Sequence, residues 1–227
     1  MSLSEDPFVR QVKPLSVVEQ VIAEIRRSIV FGALKPGQEF SLRETAAHLG
    51  VSTAPVREAL RVLQGEGLIL VRRARSAVVA PMDRDDLASI YRLRRQIEPD
   101  LAVRSSGLIT KASLANLDAI VATFGSDELG MSEIYDAHRD FHLELLKPAA
   151  TPWDLRILET LWHAAERYVR VGFGRLDPDP AEHRRRGDAH HGLVEAFRSG
   201  DGEQVRLALV AHLDGNERLA REALNFA

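Results

Sequence analysis

The chain has 227 residues, 45% of them hydrophobic, and a formal net charge of -3. This length and composition allow one or two domains with a buried core. The absence of cysteine excludes disulfides and thiolate metal sites, so any metal would be held by histidine and carboxylate. There is no apolar leader and no apolar run long enough to span a bilayer. We therefore expect a cytoplasmic protein with no membrane partner.

Charge is distributed unevenly along the chain. Residues 1–80 hold 11 Lys and Arg against 8 Asp and Glu, a balance of +3, whereas residues 81–227 hold 19 against 25, a balance of -6. Only the first part has the positive balance that favours a polyanion such as nucleic acid. The excess is modest, so it supports nucleic-acid binding without establishing it.

The beginning of the chain predicts an arm followed by a helix. Residues 1–14 are polar, contain two prolines and show no sustained periodicity, which predicts a flexible N-terminal arm. Ser16 and Glu19 have the spacing of a capping box, and the apolar residues that follow recur at helical spacing. This first helix should end near Phe31.

Two further helices and a hairpin are predicted next. A short helix over 42–49 is stopped by a glycine, and a third helix over about 53–64 is predicted to be capped by Ser52. Two short apolar strands at 68–71 and 77–80 flank a basic tip and predict a hairpin wing. Three helices and a wing make a complete small DNA-binding module.

From residue 83 onward the apolar pattern is almost entirely helical. Glycine and proline breaks separate six predicted helices, at 83–106, 111–124, 130–147, 153–173, 181–199 and 201–226. The predicted fold is mainly α: a winged helix-turn-helix of three helices and a β-hairpin wing, followed by an all-α six-helix bundle. The predicted domains are 15–81 and 82–227.

The segment from Ser41 to Leu70 carries the densest motif in the chain. Together with the preceding turn, its matching residues are Pro36-Gly37, Leu49-Gly50-Val51-Ser52, Pro55-Val56-Arg57-Glu58-Ala59-Leu60 and Glu66-Gly67-Leu68. With these residues the segment resembles the winged helix-turn-helix of the GntR family of bacterial repressors. The resemblance implies a regulator that binds double-stranded operator DNA.

The third predicted helix has a basic outer face, on which Arg57 and Arg61 lie one turn apart. A recognition helix presents its N-terminal end to the major groove, and Ser52, Thr53 and Arg57 lie at that end. The resemblance implies that Arg57, and Arg43 on the second helix, contact bases or phosphates with Thr53 beside them.

Other residues of the predicted DNA-binding surface leave alternatives open. Thr53 stands where the family has Arg, which removes a potential bidentate guanine contact, so the resemblance does not define the operator sequence. In the wing, Arg73 and Arg75 are candidates for a further minor-groove or phosphate contact. The alternative is that the helix arginines only solvate the helix and pair with Glu58 or Glu66.

Seven of the eight histidines lie in the acidic second part of the chain. His138 and His142 are four residues apart, so in a helix they project from one face at a spacing that can chelate one metal ion. His190 and His212, on two later predicted helices, could close the set. A single histidine on a helix is more often a packing or surface residue, and His191 is an alternative to His190.

Residues 83–226 resemble the FCD domain, the ligand-binding domain of the FadR-type branch of GntR regulators. The matching ligand positions are His142, His190 and His212, while His138 stands where the family usually has Asp. The resemblance therefore implies a site of four histidines instead of three and a carboxylate. Imidazole in place of carboxylate favours zinc first and nickel second over harder ions.

The same resemblance implies an effector site beside the metal. In this family the metal helps to bind a small carboxylate effector, and an arginine of the first bundle helix faces the pocket; the matching residue is Arg94. A planar, permanently charged guanidinium suits a carboxylate. The alternative is a structural salt bridge from Arg94 to Glu98. Asp136 or Asp140 is a candidate acceptor for a ring N–H of a ligand histidine.

These patterns predict a cytoplasmic homodimeric regulator, typically a repressor, that binds a pseudo-palindromic operator and senses a small carboxylate. One alternative is a metal-free pocket that binds an acyl-CoA. A second alternative, a metal-dependent enzyme, is disfavoured because the sequence has no nucleophile motif, no Gly-rich phosphate loop and no HExxH arrangement.

Overall fold

The computed structural model describes residues 16–73, 76–124, 131–176 and 180–225. Side chains are described in these ranges except at 72–73, 131–132, 135, 171–176 and 180–184. The predicted arm and Arg75 lie outside the described residues, as does the side chain of Arg73.

The chain forms two compact units. The first comprises the described residues up to Ile29 together with Leu34–Ala80, and the second comprises Val30–Ala33 together with the described residues from Pro81 onward. None of the described helices combines the length and apolar character needed to cross a membrane.

The first unit is a winged helix-turn-helix. Its elements are α1 (Val17–Val30), β1 (Glu39–Ser41), α2 (Leu42–Leu49), α3 (Thr53–Gly65), β2 (Ile69–Arg73) and β3 (Ser76–Val79). β3 pairs antiparallel with both other strands, so the sheet order is β1-β3-β2. β1 is absent from the predicted elements because three residues are too few to show an alternating pattern.

Local chemistry fixes the ends of α1 and α2. The predicted capping box is present: the Glu19 N–H donates to Ser16 Oγ at 3.2 Å, and the Ser16 N–H donates to Glu19 Oε2 at 2.7 Å. α2 ends at Gly50, whose φ of 67° is left-handed and turns the chain into α3.

The start of α3 differs from the prediction in one respect. Ser52 occupies the N-cap position, but its side chain accepts no capping hydrogen bond. An N-cap side chain normally accepts from the second or third helical N–H. Here the third helical residue is Pro55, which has no N–H, so only the N–H of the second helical residue could donate to the Ser52 side chain.

The bidentate pair between Arg26 and Glu66 ties α1 to the end of α3. Arg26 Nη2 donates to Glu66 Oε1 at 2.6 Å and Arg26 Nε donates to Oε2 at 3.2 Å, with side chains 21% and 13% exposed. We expect Arg26→Ala to lower the free energy of unfolding by about 1–2 kcal/mol in urea titrations, because it removes two charge-assisted hydrogen bonds from a largely buried carboxylate.

The matched comparison is Arg61→Ala. Arg61 Nη1 and Glu58 Oε1 lie 3.0 Å apart, but these side chains are 67% and 56% exposed. An exposed pair of this kind contributes less than about 1 kcal/mol, so the expected loss of stability is small. Equal losses for the two variants would contradict the role assigned to Arg26.

The second unit is all-α in its described part. Its six helices are α4 (Arg84–Ser106), α5 (Lys111–Thr123), α6 (Met131–Leu146), α7 (Pro152–Leu176), α8 (Pro180–Ser199) and α9 (Gly202–Ala223). The mainly α fold predicted from the sequence is confirmed, with helix ends that differ from the predicted ends by at most a few residues.

A single apolar core holds these helices together. Its largest fully buried side chains include Tyr91 on α4, Phe141 on α6, Tyr168 on α7 and Phe197 on α8. Because α6, α8 and α9 pack around this core, polar residues on their inner faces are brought close together even though they are far apart in sequence.

Candidate metal centre and nucleic-acid interface

The four predicted histidines converge in the second unit. His138 and His142 come from α6, His190 from α8 and His212 from α9. One ring nitrogen from each lies within 4.8 Å of the others, and the cluster is largely buried. His142, His190 and His212 are 2%, 2% and 8% exposed. This is the only such group of His, Asp or Glu found among the described residues.

Three ring nitrogens of the cluster are buried without a hydrogen-bond partner among the described residues. They are His138 Nε2, His142 Nδ1 and His190 Nε2. His190 Nδ1 lies 2.6 Å from the Arg186 carbonyl oxygen. Since a carbonyl only accepts, Nδ1 carries the proton and Nε2 presents its lone pair to the cluster.

Burial keeps the four rings in the neutral form that binds metal. It lowers the pKa of His190 to about 4 and the pKa values of His138, His142 and His212 well below their usual range. The neighbouring rings and Arg94 add to the effect at His138, His142 and His212. Neutral imidazole with a buried, unpaired nitrogen fits a divalent cation, because burying such a nitrogen without a partner is costly.

Asn216 is a member of this site that the sequence patterns did not single out. It is 7% exposed and lies one turn after His212 on α9. Its side-chain nitrogen is 3.1 Å from His212 Nε2, which is itself 3.1 Å from His142 Nε2. The spacing of four residues after a candidate ligand is the signal that would have identified it.

A small cavity of about 40 Å³, partly open to solvent, adjoins the cluster. Charged side chains and apolar side chains both line it: Arg94, His138, Arg139, His142, Trp162, Ala165, Glu166 and Val169. The mixture fits a small polar molecule with an apolar part.

The structure shows one of the two roles considered for Arg94, the salt bridge to Glu98, and places Arg94 at the cavity wall. Arg94 Nε donates to Glu98 Oε1 at 2.6 Å, with the two side chains 4% and 0% exposed, and Trp162 Nε1 donates to the same oxygen at 3.0 Å. The alternative salt bridge is therefore present, while Arg94 also lines the cavity. Binding of an effector by Arg94 stays a prediction.

Two sequence-based suggestions about the surroundings of the cluster are wrong in detail. Asp136 and Asp140 are exposed and pair with Arg139, at 3.5 and 3.3 Å. The acceptor for the ring N–H of His190 is the backbone carbonyl of Arg186, which no side-chain pattern could indicate. His191, the alternative to His190, is 61% exposed.

The predicted reading residues lie on the surface of the first unit. α3 buries Val56, Ala59, Leu60 and Leu63 and leaves its other face to solvent. Ser52, Thr53, Arg57 and Arg61 are exposed on or beside α3, and Arg43 is exposed on α2. Within the described ranges Arg43 and Arg57 form no ion pair, whereas Arg61 is paired with Glu58.

Comparisons with known proteins agree with this architecture. The family described as bacterial regulatory proteins, gntR family, matches residues 17–79, and the FCD domain family matches residues 89–215. The HTH-type transcriptional regulator McbR of Escherichia coli K12 is 27% identical over 225 residues, covering 96% of this chain and 99% of McbR. The solved structure of McbR matches with a TM-score of 0.79, 26% identity, and coverage of 93% and 100%.

Two further similarities are to a repressor and to an FCD domain. The HTH-type transcriptional repressor RspR of Escherichia coli K12 is 26% identical over 208 residues, covering 89% of each chain. An FCD domain solved in metal-free form, from another transcriptional regulator, is 16% identical with a TM-score of 0.54 and covers 65% of this chain and 100% of that one. The second likeness concerns the fold alone.

A winged helix-turn-helix joined to a helical ligand-binding domain defines a bacterial transcription regulator. The chain belongs to the GntR family and carries its FCD domain, as the sequence motifs implied. Because the family and the matching relatives are transcriptional regulators, the prediction that the protein is not an enzyme is confirmed.

Proposed function

We propose that the protein is a cytoplasmic repressor that binds a pseudo-palindromic operator as a homodimer and senses a small carboxylate at a metal site of four histidines. The observation that carries the proposal is the buried convergence of four histidine nitrogens beside a solvent-open cavity. Neither a packing role nor a purely apolar ligand accounts for so many unpaired nitrogens in one place.

The chemistry of the donors supports a divalent metal. His138, His142, His190 and His212 would hold it, and on donor type alone zinc is favoured first and nickel second. The metal would supply a Lewis-acidic position for a carboxylate oxygen. No ligand carries a negative charge, so the bound cation keeps its full charge and an anionic effector is favoured electrostatically.

The cavity walls support a small carboxylate effector. Arg94 and Arg139 place positive charge at the cavity, while Trp162, Ala165 and Val169 provide an apolar side. A guanidinium can donate two parallel hydrogen bonds to one carboxylate. Arg94 is already paired with Glu98. An effector carboxylate would therefore share the N–H donors of Arg94 with Glu98.

The first unit supports binding of operator DNA. Arg43 and Arg57 are exposed near the N-terminal end of the recognition helix, and Ser52 and Thr53 lie beside them. The reading domain is small, and two copies on a two-fold axis would contact two half-sites in successive major grooves. The proposal of a repressor is supported by the likeness to RspR, which is described as a repressor.

A metal-free acyl-CoA sensor is the second candidate. It is supported by the apolar part of the cavity wall. It leaves the unpaired nitrogens of the histidine cluster unexplained, because an acyl chain offers them neither a proton nor a cation.

The test uses the full-length protein without a histidine tag. An operator is selected from random double-stranded DNA, and the stoichiometry and affinity of the complex are measured with added zinc and a panel of small carboxylates. We expect two protomers on a two-fold symmetric site and a change in operator affinity of about tenfold when metal and the right carboxylate are both present.

Three outcomes would contradict parts of the proposal. The absence of any sequence preference would contradict operator binding. A response to acyl-CoA in protein stripped with a chelator would favour the second candidate. Operator affinity that is unchanged by metal with every carboxylate tested would contradict carboxylate sensing at the histidine site.

A further inference from the structure

The side chain of Asn216 contacts the histidine cluster directly. It is 7% exposed, and its side-chain hydrogen bond in the described part of the chain is the one to His212 Nε2, at 3.1 Å. An amide of this kind in a helix interior usually bonds to a backbone group or to solvent. Here its partner is one of the four candidate metal ligands.

With the Asn216 amide placed nitrogen-first, protein atoms leave a conflict at His212 Nε2. This nitrogen has two polar neighbours, His142 Nε2 and the Asn216 amide, each 3.1 Å away. A neutral ring nitrogen has either one N–H or one lone pair, so it serves one neighbour well. If it accepts, two donors compete for the same lone pair; if it donates to His142, the amide N–H of Asn216 faces another N–H.

A shared cation removes this conflict. Two nitrogens bound to one divalent ion at the usual metal–nitrogen distance lie about 3.0–3.4 Å apart, depending on the coordination geometry. The 3.1 Å between His142 Nε2 and His212 Nε2 falls in this range. Both rings then present lone pairs, and the Asn216 amide must offer an acceptor to share the ion.

The Asn216 side chain can offer an acceptor if its amide group is rotated by about 180°, which exchanges the positions of oxygen and nitrogen. Its oxygen and nitrogen have nearly the same shape, and their assignment follows from the hydrogen-bond network chosen. With the amide reversed, Asn216 Oδ1 lies where the nitrogen is placed, at the spacing of a neighbouring ligand. Asparagine carbonyl oxygen is an established ligand for divalent cations.

We infer, on the basis of the metal site proposed above, that Asn216 is a fifth protein ligand through its side-chain oxygen. The protein then supplies five donors, four nitrogens and one oxygen, which exceeds the four of a closed structural zinc site. An ion that takes six ligands would then have one position left for an effector oxygen. Asn216 therefore sets the coordination number of the ion.

The test compares Co²⁺ binding by the full-length, tag-free protein and by two variants. Asn216→Leu fills the space of the amide with an apolar group, so that water is hindered from replacing the oxygen. Asn216→Asp keeps an oxygen donor at the same place. Asn116→Leu on α5 is the control, since Asn116 is exposed and lies outside the cluster. Circular dichroism of the metal-free proteins checks that each variant is folded.

We expect Asn216→Leu to weaken Co²⁺ binding by at least about tenfold and to intensify its visible absorption bands, as fewer ligands bring the ion closer to a tetrahedral environment. Asn216→Asp and the control should keep the weak bands of the unchanged protein, and Asn216→Asp should bind at least as tightly. If Asn216 were only a donor that competes for the lone pair of His212, Asn216→Leu would bind Co²⁺ more tightly.

The failures of the two proposals are distinguishable. If the unchanged protein takes up no Co²⁺, zinc or nickel, the metal site itself is wrong. If it binds Co²⁺ but Asn216→Leu leaves affinity and spectrum unchanged, or tightens binding, only the role of Asn216 is overturned. Should Asn216→Leu fail to fold, Asn216→Asp decides: weaker binding than in the unchanged protein overturns the role of Asn216.

Discussion

Replacing His142 and His212 together by alanine is expected to reduce bound metal from near one ion per chain to none. The two Nε2 atoms are 3.1 Å apart in a buried site, and their removal takes away two of the four candidate ligands, from two different helices. Two remaining imidazoles cannot hold a divalent ion against water at micromolar concentration. The measurement is mass spectrometry of metal in tag-free protein.

The same variant should lose stabilisation by metal. A ligand that binds only the folded state adds about 4 kcal/mol at a thousandfold excess over its Kd. We therefore expect added zinc to raise the Tm of the unchanged protein and to leave that of the double variant unaffected. Because removal of two buried side chains also creates cavities, the comparison is made within each protein, with and without metal.

A control separates the cluster from histidine content in general. His48→Ala combined with His191→Ala removes the same number of rings from exposed positions. This control should keep the full complement of metal. Metal retained by the His142/His212 variant, or metal missing from the unchanged protein even after its addition, would contradict the four-histidine site.

Replacing Arg57 by alanine is expected to weaken operator binding by about ten- to a hundredfold, which corresponds to the loss of one good base or phosphate contact. Arg57 is exposed near the start of α3 and, within the described ranges, has no carboxylate partner to give up. Arg43→Ala should have an effect of similar size. Fluorescence anisotropy with the selected operator at one fixed salt concentration gives the affinities.

Two comparisons sharpen this prediction. Arg61→Ala should cost less than Arg57→Ala, because Arg61 must first leave Glu58 at 3.0 Å. Arg92→Ala removes an exposed charge of the same sign from the second unit and should leave affinity nearly unchanged. If Arg57→Ala and Arg92→Ala bind equally well, α3 is not the reading helix. The dependence of affinity on salt then separates phosphate contacts from base contacts.

The sequence by itself determined the helices, the two strands of the wing and the placement of His138 and His142 on one helix face. Helical periodicity and caps are local, so the bounds of α4 to α9 and the capping box at Ser16 follow from residues a few positions apart. The apolar face of α3 fixed, by the same periodicity, that Arg57 and Arg61 lie on its solvent side. Motif spacing then identified the family.

Only the tertiary structure decided which groups meet across helices. Successive side chains of a helix point about 100° apart. Which of His190 and His191 faces the cluster is therefore decided only by the packing of α8, which places His190 against Phe124 and Phe141. The carbonyl of Arg186 and the amide of Asn216 enter the site through backbone position and helix register. β1 forms because it pairs with the edge of β3, which is distant in sequence. A segment of three residues carries no local pattern that predicts such a pairing.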